Sequence, residues 1–363
     1  MNKIDIKKNS KLQSKYPEIV RDLRKKILSG QISGGLPGVQ QYAGEYNVNF
    51  MTVNKAINKL VEEGLLYRIP RKGTYVKRTY RIALINFTQD DALSRPIPSL
   101  YIDLVHAVEK ALNKQNLTMI FKRHSRDAEL SSADFHGEID GVISVGSSTN
   151  PKTIEWLKKI SCVKAMGIPD DNAFCPHATY NNKATGILAA NYALKNNFLN
   201  TCFINDSENN IICKARGLAF ENTMKNSRAK VKKLTPPLSS THEERIAGIM
   251  EIAEKIAKRP LLPELIFTGG IWFLPLIYSV FYKNGIIPQK DIAIITCDKD
   301  DSVLACLSPS PILIDIKTGK IGEKAVELLM QIINGKKTEK ELIQIKPELV
   351  FHNMEKLSND IAI

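Results

Sequence analysis

From Arg81 onward the chain repeats one pattern, a short apolar run followed by a longer stretch of helical period. The runs are RIALINF, TMIFKRH, IDGVISVG, CVKAMGI, TCFIND, LIFTGG, IAIITCD and PILIDI. Helical segments between them include LYIDLVHAVEKALNKQN, with Leu104, Val108 and Ala111 on one face, then ATGILAANYALKNN, RGLAFENTMKNS, HEERIAGIMEIAEKIAKR and KIGEKAVELLMQIING. Runs apolar on both faces and separated by helices suit parallel strands, because each parallel pair needs a crossover that covers a face of the sheet. So many units across residues 81–363 predict two doubly wound parallel sheets, an α/β body of two lobes, rather than one sheet. Ligands of such sheets sit at the carboxyl ends of the strands, which predicts a cleft between the lobes.

Residues 1–80 follow another rule. Ile19, Leu23 and Ile27 repeat every four residues between Tyr16 and Gly30, with Val20 and Leu28 alongside, and Pro17 stands near the start. A shorter helix is expected after Pro37, running to about Tyr46 with Val39, Tyr42 and Ala43 inward, and Asn47 supplies a turn. A third runs from an Asn49 N-cap to Glu63, with Val53, Ala56, Ile57 and Leu60 as its stripe and Gly64 at its end. Its outward residues are Phe50, Met51, Asn54, Lys55, Asn58 and Lys59. LLYRIPRKGTYV then reads as two strands around a basic turn of Arg68, Arg71, Lys72 and Gly73. Helix, turn, polar-faced helix and basic hairpin in that order make a winged helix-turn-helix, with domains at 1–76 and 81–363 and a linker at 77–80.

Charge divides along the same line. Of the net +13, residues 1–80 hold 16 Lys and Arg against 6 Asp and Glu, a net +10, and the other 283 residues carry only +3. A basic module on a near-neutral body fits a polyanion-binding head. Nothing apolar is long enough to span a bilayer or follows the N-terminus as a signal, so a cytoplasmic protein without membrane contact is expected. The six cysteines form no C-x-x-C pair and the six histidines no H-x-x-x-H, which predicts reduced thiols and neither metal nor cofactor. The stretch Asp298, Lys299, Asp300 and Asp301 lacks calcium-loop spacing and is read as loop.

LPGVQQYAGEYNV, MTVNKAINKLVEEGLL and YRIPRKGTYV resemble the N-terminal domain of GntR-type bacterial regulators. The resemblance implies binding to double-stranded operator DNA through Gln40, Asn49, Phe50, Thr52, Asn54, Lys55, Lys59, Arg68, Arg71, Lys72 and Gly73. Gln40, Phe50 and Asn54 stand where that family usually has arginines, so the operator sequence does not carry over.

Tyr180 to Gly186, RGLAF from Arg216, GIIPQKDIAIITCDKD and a helix with Gly322, Ala325, Val326 and Leu329 resemble LacI-type sensors of periplasmic-binding-protein-like fold. The pairing of the two is similar to arabinose repressors. It implies ligand contacts from Arg216 and Asp298 to sugar hydroxyls, with an interlobe or surface ion pair as the alternative. The family's Asn-Asp pair falls on Gly270 and Ile271, which leaves Trp272 or Phe273 as a stacking face or as core. Asn86, Gln89, Asp90 and Tyr101 are further cleft candidates.

The function expected is a ligand-responsive transcription regulator, a repressor of sugar-related genes, acting as a homodimer on a near-palindromic operator. The alternatives are a DNA-binding regulator with a non-responsive sensor, or an enzyme acting on a sugar or nucleotide. No G-x-x-x-x-G-K-S/T, G-x-G-x-x-G or G-x-S-x-G supports the enzyme.

Overall fold

Three apolar stripes meet in the N-terminal unit. Helices α1 (Tyr16–Leu28), α2 (Val39–Glu45) and α3 (Phe50–Glu62) bury Leu23, Tyr42, Val53, Ile57 and Leu60 together with Leu66. The computed structural model describes residues 15–351 other than 29–30, 33, 78–79, 90–98, 116, 136–138, 170–172, 226, 238–240 and 337–340. Gly30, the Arg78-Thr79 part of the connector and Asp90 therefore lie outside the described residues. The chain divides into units Met1–Tyr80 and Arg81–Ile363.

The Asn49 side chain accepts the Met51 N–H at 2.9 Å and so caps α3. Arg24 forks onto the Glu63 carboxylate just past the end of α3, at 2.8 to 3.2 Å, and the Tyr46 hydroxyl donates to Asp22 at 2.5 Å. These two ties fasten α1 to the helix-turn-helix at both of its elements. Strands β1 (Leu66–Ile69) and β2 (Gly73–Val76) pair antiparallel, with Ile69 opposite Gly73. The turn between them places Arg71 at φ 65° and Gly73 at φ 123°; the latter is a conformation that glycine adopts without steric cost. Tyr67 and Tyr75 stack at 5.7 Å between ring centroids and stiffen the hairpin.

In the second unit one six-stranded sheet contains β3 (Arg81–Thr88), β4 (Thr118–Ser125), β5 (Gly141–Val145), β6 (Ser161–Ala165), β7 (His177–Tyr180) and β13 (Leu342–Ile345). Its order is β13-β7-β6-β5-β3-β4, parallel throughout. The other sheet contains β8 (Asn200–Ile204), β9 (Lys230–Leu234), β10 (Leu265–Thr268), β11 (Ala293–Cys297), β12 (Ile312–Asp315) and β14 (Glu348–Val350). Its order is β14-β12-β11-β10-β8-β9, and β14 alone runs antiparallel to its neighbour. The helices are α4 (Ser99–Asn113), α5 (Pro151–Lys159), α6 (Asn182–Lys195), α7 (Ile211–Met224), α8 (His242–Ala257), α9 (Leu274–Lys283), α10 (Asp301–Leu304) and α11 (Thr318–Ile333).

The expected two-lobed, doubly wound body is thus present, with cores on both sides of the second sheet and a further core in the first lobe. The chain passes between lobes after β7, after β12 and after β13. Four strands escape the apolar-run pattern. Strand β7 is only four residues, HATY, and the KVKKL of β9 is an edge strand with solvent on alternate positions. Strands β13 and β14 are likewise short edges, where one side of the ladder demands no apolar run.

Candidate DNA interface and effector cleft

On the head, the exposed face of α3 presents Phe50, Met51, Lys55, Asn58 and Lys59, with Asn54 and Thr52 half-buried. Gln40 is exposed on α2 and Asn49 is spent on its cap. Arg68, Arg71, Lys72 and Gly73 are exposed on the hairpin. Four of these side chains already have partners. Arg68 Nη2 donates to Asn54 Oδ1 at 2.8 Å, bracing the wing against α3. Lys55 lies over the Tyr16 ring at 5.1 Å, and Lys59 pairs with Glu62 at 3.5 Å. The two lysine contacts are exposed, are worth little and yield readily to a phosphate. Arg is donor-only and must face the Asn54 amide oxygen, which gives up one of its two lone pairs to it.

In the second unit the strand ends of both lobes enclose a cavity of about 270 Å³. The first lobe contributes Tyr101 at the start of α4, Gly146 after β5, Met166 and Gly167 after β6, and Tyr180. The second contributes Asp206, Asn210, Cys213, Gly270, Trp272 and Asp298. Several of these positions have left-handed backbone: Gly146 at φ 76°, Met166 at 64°, Gly167 at 83° and Asp298 at 69°. A side chain at Gly146 would place its Cβ 2.4 Å from the Phe87 carbonyl oxygen, so only glycine allows that strand end to approach β3. The Met166 and Gly167 carbonyls are held at 2.6 Å by His177 Nε2 and the Thr179 hydroxyl respectively.

Arg216 sits behind the cavity with no exposed surface. Its Nη1 donates to the Gly269 carbonyl (2.5 Å) and to Asp298 Oδ2 (2.9 Å), its Nη2 to Asp298 Oδ1 (2.8 Å), and its Nε to Asn182 Oδ1 (3.0 Å). Its guanidinium carbon lies 5.3 Å from the Tyr180 ring centroid. Burial is the largest influence and opposes the charge on Arg216, but Asp298, joined by Cys297 and Tyr180, raises the guanidinium above its ordinary value. The pair belongs to one lobe, so neither sugar-facing donors nor an interlobe bridge describes Arg216: its donors are consumed by its own lobe. Asp298, 8% exposed, presents the edge of its carboxylate to the cavity.

Two close approaches that seat Arg216, of α6 to α7 and of α7 to β8, each depend on a glycine. A Cβ on Gly186 would fall 2.1 Å from the Arg216 carbonyl oxygen, and one on Gly217 would fall 2.2 Å from the Phe203 ring. Both glycines lie in the motifs noticed in the sequence, and close helix contact is what they serve.

Trp272 is 41% exposed and lines the cavity, so it is not core; Phe273 instead packs against the core of its lobe. Ile271 is wholly buried, whereas Gly270 faces the cavity. Asn86 is buried within β3 and is not part of the cavity lining, and Gln89 is exposed beyond the strand. Tyr101 does line it, and burial followed by the charge of Asp298 raises its phenol above the usual range. Sequence reading missed Tyr180, Asp206 and Asn210. Asp206 closes the run TCFIND, and its place at a strand's carboxyl end was the available signal. Asn210 Nδ2 donates to Asp206 Oδ2 at 2.8 Å, while Asp206 Oδ1 is buried and finds no hydrogen-bond partner among the described residues.

Among the described residues no group of three or more His, Cys, Asp or Glu is arranged to hold a metal, and no helix is long and apolar enough to cross a membrane. A winged helix-turn-helix with a cationic face, followed by two lobes around a cleft of apolar walls and a few polar groups, is the architecture of a DNA-binding transcription regulator with a ligand sensor. Residues 15–76 match "Bacterial regulatory proteins, gntR family" and residues 199–352 match "Periplasmic binding protein-like domain". The chain thus carries a head similar to the gntR family of bacterial regulatory proteins and a periplasmic-binding-protein-like body that shares its fold with solved LacI family regulators.

The chain is 35% identical over 81 residues to the HTH-type transcriptional repressor NagR of Bacillus subtilis, a match spanning 21% of this chain and only 33% of that protein. Over 262 residues the chain is 23% identical to the HTH-type transcriptional repressor PurR of Aliivibrio fischeri, covering 69% of this chain and 75% of the other. An arabinose metabolism transcriptional repressor of Geobacillus stearothermophilus aligns over 365 residues at 21% identity, covering 94% and 98%. Among solved structures, a LacI family regulator of Enterococcus faecium with bound ribose superposes with TM-score 0.60 at 18% identity, covering 75% of this chain and 97% of that one.

Proposed function

We propose that this protein is an effector-controlled repressor of sugar-related genes, binding a near-palindromic operator as a homodimer. The observation that carries the reading is the cleft, where both lobes bring strand ends to one cavity that sets a few polar groups among apolar walls. Its chemistry supports a small neutral molecule rich in hydroxyls. Asp206 Oδ1 and the exposed edge of Asp298 accept, Asn210 and the tyrosines donate, and Trp272 offers a flat face to the apolar side of a ring. No lysine or arginine lines the cavity among the described residues. With carboxylates but no cation, the site favours a free sugar or nucleoside over a phosphorylated one, whose charge would be unpaired. An arabinose metabolism repressor is among the relatives, and the ribose of the Enterococcus structure is of the same chemical class.

On the head, Lys55, Lys59, Arg68, Arg71 and Lys72 supply phosphate contacts, and Gln40, Phe50, Asn54 and Thr52 face bases or backbone of the major groove. A two-fold dimer engages two half-sites, and the reading places the protein in the cytoplasm with its DNA. Effector binding releases the operator only if the effector prefers the non-binding arrangement of the dimer, by linkage.

Calorimetric titration with neutral pentoses, hexoses and nucleosides, each beside its phosphate ester, tests the cleft. Binding of one neutral compound and weakening of operator affinity by it are expected. Tighter binding of the phosphate ester would refute the reading of the cleft. Absence of binding across the set would favour the non-responsive sensor, for which the apolar Gly270-Ile271 in place of polar residues is the supporting observation.

A further inference from the structure

We propose that α3 recognises thymine, through its 5-methyl group at Phe50 and Met51 and its O4 at Asn54. The inference rests on the DNA-binding reading above and adds the base that is read.

Phe50 and Met51 occupy the first two positions of α3 and are 53% and 64% exposed. Single apolar side chains on a surface need no explanation, but two large ones side by side on the face expected to meet DNA leave considerable apolar area in water. The Asn49 cap holds the first turn, so the pair projects from ordered backbone rather than a frayed end. Around them stand Lys55, Lys59, Arg68, Arg71 and Lys72, all exposed. The partner must therefore be anionic at its periphery and apolar at the point that meets Phe50 and Met51. In a DNA duplex the phosphates supply the first, and the apolar group in the major groove is the thymine methyl.

Asn54 points to the same base independently. It lies one turn along from Phe50, and its Oδ1 already accepts from Arg68. Bidentate pairing with adenine needs the amide oxygen and the amide NH2 together. With one lone pair of that oxygen already given to Arg68, the amide NH2 is the freer end of Asn54, and it suits an acceptor such as thymine O4. Thymine presents O4 and its methyl side by side in the major groove, as α3 presents a donor beside an apolar patch.

The test uses the full chain. Duplexes that it binds are selected from a randomised library, and each thymine of the selected site is replaced by deoxyuridine, which lacks only the methyl. At one or two positions per half-site the replacement should weaken binding about 4-fold, the equivalent of about 0.8 kcal/mol for one buried methyl. The Phe50→Ala/Met51→Ala variant should bind more weakly and no longer distinguish thymine from deoxyuridine there. Both side chains are outside the core, and an unchanged melting temperature verifies the fold. Phe50→Leu, still apolar, should keep part of the discrimination. The inference is overturned if no position responds to deoxyuridine, or if the double alanine variant keeps the full response. Those results leave DNA binding intact, whereas failure to select any duplex would refute the DNA reading and the inference together.

Discussion

Replacing Asp298 by alanine should destabilise the body far more than loss of a cleft-lining side chain would. The Arg216 guanidinium is inaccessible, and two of its four hydrogen bonds go to Asp298. Without the carboxylate, a buried positive charge keeps only the Gly269 carbonyl and Asn182 for company. Breaking one side of a buried ion pair costs about 3–5 kcal/mol. A body of this length has an unfolding entropy near 0.6 kcal/mol per degree, so its melting temperature should fall by roughly 5–8 °C. Calorimetry of the full chain follows the body, with any separate transition of the head as internal reference. Replacing both partners, as Arg216→Met with Asp298→Leu, should recover much of the loss, because no charge is then stranded. A variant Asp298→Ala that melts within about 1 °C of the parent would refute the reasoning. It would mean that Asp298 serves the ligand alone and that Arg216 is otherwise satisfied.

Further outcomes follow from other contacts. Gly186→Ala should cost about 1–3 kcal/mol by driving a Cβ into the Arg216 carbonyl, seen as a lower denaturation midpoint of the body. Trp272→Ala should leave the melting temperature unchanged and weaken effector binding at least tenfold by calorimetry, since its exposed face contributes little to packing. Arg68→Ala should release the Asn54 amide oxygen, relaxing base preference at one position in a selected-site assay as well as weakening binding. Lys26 first, then Tyr46, holds the Asp22 carboxyl below its ordinary value. Its contribution to the head is therefore full above the unfolded value near 3.9 and is lost as pH falls through the lower folded one. The difference in head stability between parent and Asp22→Asn should shrink between about pH 5 and 2.5 in thermal melts.

Local regularities were readable in the chain; mutual satisfaction of distant groups was not. The stripes of α1 and α3, the Asn49 cap and the turn of the wing follow from spacing and residue type, and they reappear as expected. The strands with apolar runs were legible because burial on both faces demands them. Strands β7, β9, β13 and β14 were not, being short, and most being edges supported by partners far away in the chain. Arg216 and Asp298 were noticed as polar residues in a candidate cleft. That each consumes the other's hydrogen-bonding capacity across 82 residues is a property of the fold. The brace from Arg68 to Asn54 is the same kind of fact, and it turns the Asn54 amide oxygen toward Arg68. Asn86 and Tyr101 looked alike as candidates, but strand pairing buries the first, whereas the start of α4 delivers the second to the cavity.

Binding of the DNA upstream of the protein's own gene, measured against salt for the full chain and for residues 81–363 alone, bears most directly on the assignment. Five exposed cations per head, doubled in a dimer, predict a loss of about 10³–10⁵ in affinity between 50 and 200 mM salt. The body alone should bind nothing while remaining folded. Equal binding by the body, or affinity indifferent to salt, would contradict a DNA-binding head under the control of a sensor.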